Sequence, residues 1–148
     1  MMEAISKKVV LVAEDDEDHF LLAKDAFAEV RLDIELQWVR DGEELMDYLL
    51  HRGNFGNEGR APRPHLILLD LNMPKKDGRE ALQEIKAHPQ LRLIPVVVLT
   101  TSRNDEDIQY TYGLGGSFIR KPVRFDQIVR MIRNLSGYWL DTVELPHL

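Results

Sequence analysis

The chain has 148 residues, 44% hydrophobic and 30% charged, the proportions of one globular domain with a proper core. Its formal net charge of -6 and pI near 5.4 argue against nucleic acid and anionic membrane as main partners, since both reward a basic surface. The absence of cysteine excludes a disulfide framework, a zinc–thiolate site and thiol chemistry.

The first eight residues lack the apolar core of a signal peptide, and no later run approaches membrane-spanning length, so the expected setting is cytoplasmic. Residues 9–13 form a β-branched apolar run, read as a buried strand. It stops at Glu14-Asp15-Asp16-Glu17-Asp18. Phe20, Leu21, Leu22, Ala26, Phe27 and Val30 follow at helical spacing, with Asp18 as the expected N-cap. Ile34, Leu36 and Trp38 alternate with Glu35, Gln37 and Val39, which predicts a strand with one wetter face. Asp41-Gly42 turns the chain into a helix over 44–50, with Leu45, Tyr48 and Leu49 inward. Residues 51–64 hold Gly53, Gly56, Gly59, Pro62 and Pro64 and no apolar period. Such a long loop is usually functional or mobile.

His65-Leu66-Ile67-Leu68-Leu69 reads as a strand buried on both faces. It ends abruptly at Asp70, after which Asn72 and Pro74 turn the chain. Asp77-Gly78 caps a helix carrying Ala81, Leu82 and Ile85, which ends before Pro89. Pro95 opens a strand over 96–99 that runs into Thr100-Thr101-Ser102. A fourth helix spans 105–114 and is broken by Gly115-Gly116. Ser117-Phe118-Ile119-Arg120 is a last short strand, closed by Lys121-Pro122. Phe125, Ile128, Val129, Met131 and Ile132 line a fifth helix, and a tail carries Trp139, Leu140, Val143 and Leu145. The expected division is a domain over 1–136 and a tail over 137–148 that packs on the domain or on a second copy.

Five β–α units with right-handed crossovers predict an α/β fold, a parallel sheet with helices on both faces. Ligands bind at the carboxyl edge of such a sheet, and that edge collects Glu14, Asp15, Asp70, Thr100 and Lys121. Three carboxylates together are costly unless a cation joins them, and oxygen ligands of this kind favour Mg²⁺. The hydroxyl of Thr100 and the ammonium of Lys121 complete a set able to hold a phosphoryl group. A strand-end carboxylate such as Asp70 can attack phosphorus and form an aspartyl phosphate. Taken singly, each residue has a plainer reading. An acidic run is usually a solvated helix start, and an Asp beside Asn and Pro is often a turn-former. The five positions gain their meaning together.

Those motifs resemble the receiver domain of two-component response regulators. The Glu14-Asp15-Asp16 run, Asp70-Leu71-Asn72-Met73-Pro74 followed by Asp77-Gly78, Thr100, and Lys121-Pro122 carry the resemblance over nearly the whole chain. It implies a flavodoxin-like (CheY-like) sheet of order 2-1-3-4-5. It implies Asp70 as phosphoacceptor, Mg²⁺ held by Asp15 directly, by Glu14 through a water and by the Asn72 carbonyl, and Lys121 on a phosphoryl oxygen. Thr100 and Phe118 would be the switch pair. The family's Lys-Pro bond is usually cis, whereas residue type alone favours trans. Leu114-Gly115-Gly116-Ser117-Phe118 is one residue shorter than the family pattern, and Phe118 lacks the hydroxyl of the commoner tyrosine, leaving the switch to packing alone.

The long loop and the tail resemble the single-domain response regulators of bacterial, especially cyanobacterial, phytochromes. That resemblance implies a sensor histidine kinase as partner and a homodimer, expected through the fourth helix, fifth strand and fifth helix with the tail. No output domain follows the fifth helix, so signalling is expected to pass through protein contacts. Two alternatives come from other classes. A haloacid-dehalogenase-like phosphohydrolase needs an acid two residues after the nucleophile, where this chain has Asn72. A phosphorylation-independent binding module would not need the acidic pair, Asp70, Thr100 and Lys121. His19, His51, His65, His88 and His147 show no ligand spacing and read as surface or capping residues. Trp38 and Trp139 read as packing or interface residues.

Overall fold

A computed structural model describes residues 7–146; the first six residues and His147, one of the histidines read as surface, lie outside the described residues. Five strands form one sheet: β1 (Lys8–Ala13), β2 (Ile34–Val39), β3 (Leu66–Leu69), β4 (Val96–Thr100) and β5 (Ser117–Arg120). All pairings are parallel, in the order β2-β1-β3-β4-β5, the flavodoxin-like order that the resemblance implies. The helices are α1 (Glu17–Val30), α2 (Gly42–Leu50), α3 (Gly78–Ala87), α4 (Asp105–Gly113) and α5 (Phe125–Ser136).

The apolar runs of the central strands are continuous because both sheet faces are covered. Val10, Val12, Leu66, Leu68 and Val97 pack with Phe20 and Phe27 of α1 and Ile128 and Ile132 of α5. Their neighbours Leu11, Ala13, Ile67, Leu69 and Val98 point the other way, into Leu45 and Tyr48 of α2 and Leu82 and Ile85 of α3. Each fully buried Leu or Ile contributes roughly 1.5–3 kcal/mol. β2 is an edge strand, and all its residues except Val39 are half-buried. Its alternation is muted because Trp38 lies flat on Phe20, ring centroids 4.2 Å apart.

α1 is capped by Asp16 instead of Asp18. The Asp16 backbone is extended and its Oδ1 accepts from the His19 N–H at 3.1 Å. Asp18 therefore sits inside the first turn with Glu17, where negative charge suits the helix dipole. Leu21 and Leu22 lie on the outer face and remain exposed. The 51–64 loop is pinned to α2. His51 adopts a left-handed backbone at the end of α2, and its Nε2 lies 2.9 Å from the Ala61 carbonyl. The Tyr48 hydroxyl donates to the Pro62 carbonyl at 2.8 Å, and Ala61 is fully buried.

Beyond α5 the chain continues as a wider π-helical turn, Gly137–Thr142, that buries Leu140. Arg31, at the end of α1, donates to Asp33 at 2.7 Å and to Asp141 at 2.9 Å, and Lys8 donates to the Leu140 carbonyl and to Asp141. Among the described residues every peptide bond is trans, Lys121-Pro122 included, in place of the cis bond that the resemblance implies there; trans is the lower-energy isomer even before proline. No helix among the described residues is long and apolar enough to cross a membrane.

Candidate functional site

The strands all run one way, so their carboxyl ends share one edge, and ladder hydrogen bonds continue one residue past β1, β3 and β5 to fix the residues that follow. The Glu14 N–H donates to Val39, the Asp70 N–H to Ala13 and the Lys121 N–H to Thr100, all at 2.9–3.0 Å. Gly78 opens α3 directly beneath Asp70, with its N–H on the Leu71 carbonyl at 3.0 Å. The short segment before β5 still delivers Lys121. Gly115 takes a left-handed backbone, the Gly116 N–H bonds Thr111, and β5 enters in register with β4.

Carboxylate oxygens of Glu14, Asp15 and Asp70 lie within 4.8 Å of one another, the first and last residues buried and Asp15 exposed. Lys121 reaches into this cluster. Its Nζ donates to Asp70 Oδ2 at 2.8 Å and to Glu14 Oε1. Asp70 Oδ1 accepts from the Asn72 N–H at 3.0 Å, and the Trp38 indole N–H holds the Glu14 carbonyl at 2.7 Å. Burial pushes the Glu14 carboxyl up to about 7, against the hydrogen bond and charge of Lys121. Burial works against the Lys121 charge as well, but the hydrogen bonds it donates to Asp70 and Glu14, with their charges, outweigh it and raise its pKa. Thr100 is fully buried at the end of β4, its Oγ1 accepting from the Ser102 N–H at 3.3 Å and facing Asn72 Nδ2 at 3.5 Å. Phe118 is half-buried in β5 opposite Val98 and packs on the α2–α3 side of the core.

Residues 10–133 match the response regulator receiver domain. The chain belongs to that family. The receiver is 42% identical over 145 residues to Response regulator Rcp1 of Synechocystis sp., covering 97% of each chain. The crystal structure of the phosphorylated cyanobacterial phytochrome response regulator RcpA matches with a TM-score of 0.88 at 43% identity, over 96% of this chain and 100% of that one. The Mn(2+)-bound form of Rcp1 matches with a TM-score of 0.86 at 42% identity, over 95% and 99%. The match does not favour the hydrolase alternative, and Asn72, an amide, stands where that chemistry needs an acid.

Receivers bind a divalent cation, and the donor set of this one fits such an ion: hard carboxylate oxygens, two of them buried, opening to solvent at Asp15. Two parts of the neighbourhood carry little sequence signal. His19, read as a surface residue, lies against Lys121 with Nδ1 3.0 Å from Nζ and 3.6 Å from Glu14 Oε1. Its place one turn into α1 is the one hint that it faces the strand end. The second is a partly buried ion pair behind Thr100. Arg79 grips Asp107 with two bonds of 2.6 Å, and the Ser102 hydroxyl donates to the same carboxylate at 2.6 Å. His51 and His88 do cap, His88 accepting from the N–H groups of Gln90 and Leu91.

Proposed function

We propose that Asp70 accepts a phosphoryl group from the phosphohistidine of a sensor kinase, a phytochrome-type light sensor, and that the phosphorylated receiver signals by protein contact. The convergence of Lys121 Nζ on Asp70 Oδ2 at 2.8 Å, inside the three-carboxylate cluster, carries this reading. Likeness to phytochrome response regulators over nearly the whole chain supports the kinase class. Asp15, Glu14, Asp70 and the Asn72 carbonyl would hold Mg²⁺, which neutralises phosphoryl oxygens when bound.

Asp70 attacks phosphorus, the donor P–N bond breaks as the new O–P bond forms, and the imidazole leaves. The Lys121 ammonium moves from the free carboxylate to a phosphoryl oxygen, and the Thr100 hydroxyl donates to another. Ser102 shares in that change because its N–H is bonded to Thr100 Oγ1. Phe118 follows by packing, having no hydroxyl to bond. Intact mass after acetyl phosphate treatment is expected to show one phosphoryl adduct, present only with Mg²⁺ and absent in Asp70→Asn. An adduct retained by Asp70→Asn, or none in wild type, would end the reading.

The receiver over 1–136 and the tail over 137–148 are proposed to act as one body, with Arg31 and Lys8 holding Asp141. A second copy is the proposed occupant of the α4–β5–α5 face. The groove of Ile119, Met131, Leu135, Tyr138 and Trp139 along α5 and the tail supports that choice. Analytical ultracentrifugation is expected to detect dimer; a monomer at every concentration, with and without acetyl phosphate, would exclude it.

A further inference from the structure

We infer that His19 is a positioning residue for phosphoryl transfer, holding the Lys121 ammonium over Asp70 while the other partners of that ammonium change. The inference rests on Asp70 as phosphoacceptor. A lysine ammonium has three N–H donors and no acceptor. Here it faces three acceptors: Asp70 Oδ2 at 2.8 Å, Glu14 Oε1, and His19 Nδ1 at 3.0 Å. All three donors are thereby engaged. The two carboxylates belong to the acidic cluster, so a divalent cation competes with Lys121 for them, and Asp70 Oδ2 stops being a free carboxylate oxygen once the O–P bond forms. Among the described residues His19 is the one partner outside that cluster. Its bond is the one that neither cation binding nor phosphorylation removes.

The backbone of His19 is fixed for this task. Its N–H is the group that the Asp16 cap holds at 3.1 Å, so the ring projects from the first turn of a rigid helix. For Nδ1 to accept, the ring proton lies on Nε2, which points toward Asp16 Oδ2 at 4.0 Å. Lysine has among the most rotamer freedom of any side chain. An ammonium left with only carboxylate partners would be released when those partners turn to the cation or the phosphoryl group. Held by His19, it pivots from Asp70 Oδ2 to a phosphoryl oxygen. With acetyl phosphate as donor, the O–P bond to Asp70 forms, the acetyl O–P bond breaks, and acetate leaves with the electron pair.

The test measures Asp70 phosphorylation by acetyl phosphate at saturating Mg²⁺ in the whole chain. His19→Leu keeps the bulk and removes the acceptor. His19→Asn puts an amide oxygen near the position of Nδ1. The maximal rate constant is expected to fall about tenfold in His19→Leu, the size of one hydrogen bond to a charged group. The half-saturating Mg²⁺ concentration and the thermal midpoint stay at their wild-type values, and His19→Asn recovers most of the rate. A His19→Leu rate within about twofold of wild type, or an Asn variant as slow as Leu, overturns the inference while leaving Asp70 as phosphoacceptor. A parallel fall in thermal midpoint in both variants also overturns it, in favour of a purely structural role. Wild type without an Asp70 adduct overturns both readings.

Discussion

Gly78→Ala is expected to cost about 3 kcal/mol or more of folding stability and to disturb the Asp70 loop with it. A Cβ at position 78 would stand 2.4 Å from the Asp70 carbonyl oxygen and 2.6 Å from the Leu71 Cα. Both are backbone atoms, so no side chain can swing aside. The backbone is also pinned, because the Gly78 N–H bonds Leu71 and the Asp70 N–H bonds Ala13. Relief comes only by lifting α3 off the end of β3, which exposes Ala81, Leu82 and Ile85. Gly113→Ala is the control, since its Cβ would meet nothing within 4 Å, and there a small gain is expected from a less flexible unfolded chain. Urea unfolding of the two variants decides the matter. A Gly78→Ala variant within 1 kcal/mol of wild type would mean that α3 is not seated on the Asp70 loop.

The sheet was legible because its signal is local. Each central strand is an apolar run covered on both faces, and Glu14 and Asp70 are the first polar residues after such runs, following Ala13 and Leu69. Strand order came from resemblance, since a run of apolar residues does not say which run it pairs with. The misplaced cap of α1 has a physical cause. Asp16 and Asp18 are equally good caps by residue type, and only the backbone bend after β1 chooses between them. The loop over 51–64 shows no apolar period, yet the His51 ring at its start bonds Ala61 and the Tyr48 hydroxyl of α2 bonds Pro62, ties that composition does not display. α4 hides most. The residues it buries are Asp107 and Thr111, so it shows no apolar period, and a buried carboxylate gives no sign of itself until Arg79 arrives from another helix. His19 escapes for a similar reason, its partner Lys121 lying just past the end of β5, 102 residues away.

Asp107→Ala should be the most damaging polar substitution behind the site. Asp107 is 4% exposed and takes two bonds from Arg79 and one from the Ser102 hydroxyl. Breaking such a pair leaves a half-buried guanidinium with Asp77 alone, at 3.2 Å. The expected loss is about 2–3 kcal/mol, below the range for a fully buried pair because Arg79 is partly solvated. Ser102→Ala removes one hydrogen bond without stranding a charge and should cost about 1 kcal/mol. The hydrogen bond and charge of Arg79, helped by Ser102 and opposed by burial, hold the Asp107 carboxyl below its ordinary value. A carboxyl that is more acidic folded than unfolded takes up fewer protons in the native state, so its contribution is complete above the unfolded value, about pH 4, and is lost as pH falls through the folded one. The stability gap between wild type and Asp107→Asn is therefore expected to be largest at pH 7 and to shrink as pH drops below 4. A gap that stays constant across that window would mean the pair adds nothing through its charge. The position gives the pair its functional weight. Ser102 lies between Asp107 and the Thr100 hydroxyl, so the pair also holds the β4–α4 turn in the arrangement seen here, which the proposed phosphorylation of Asp70 would have to change. Ser102→Ala should then take up the phosphoryl group faster than wild type while remaining folded.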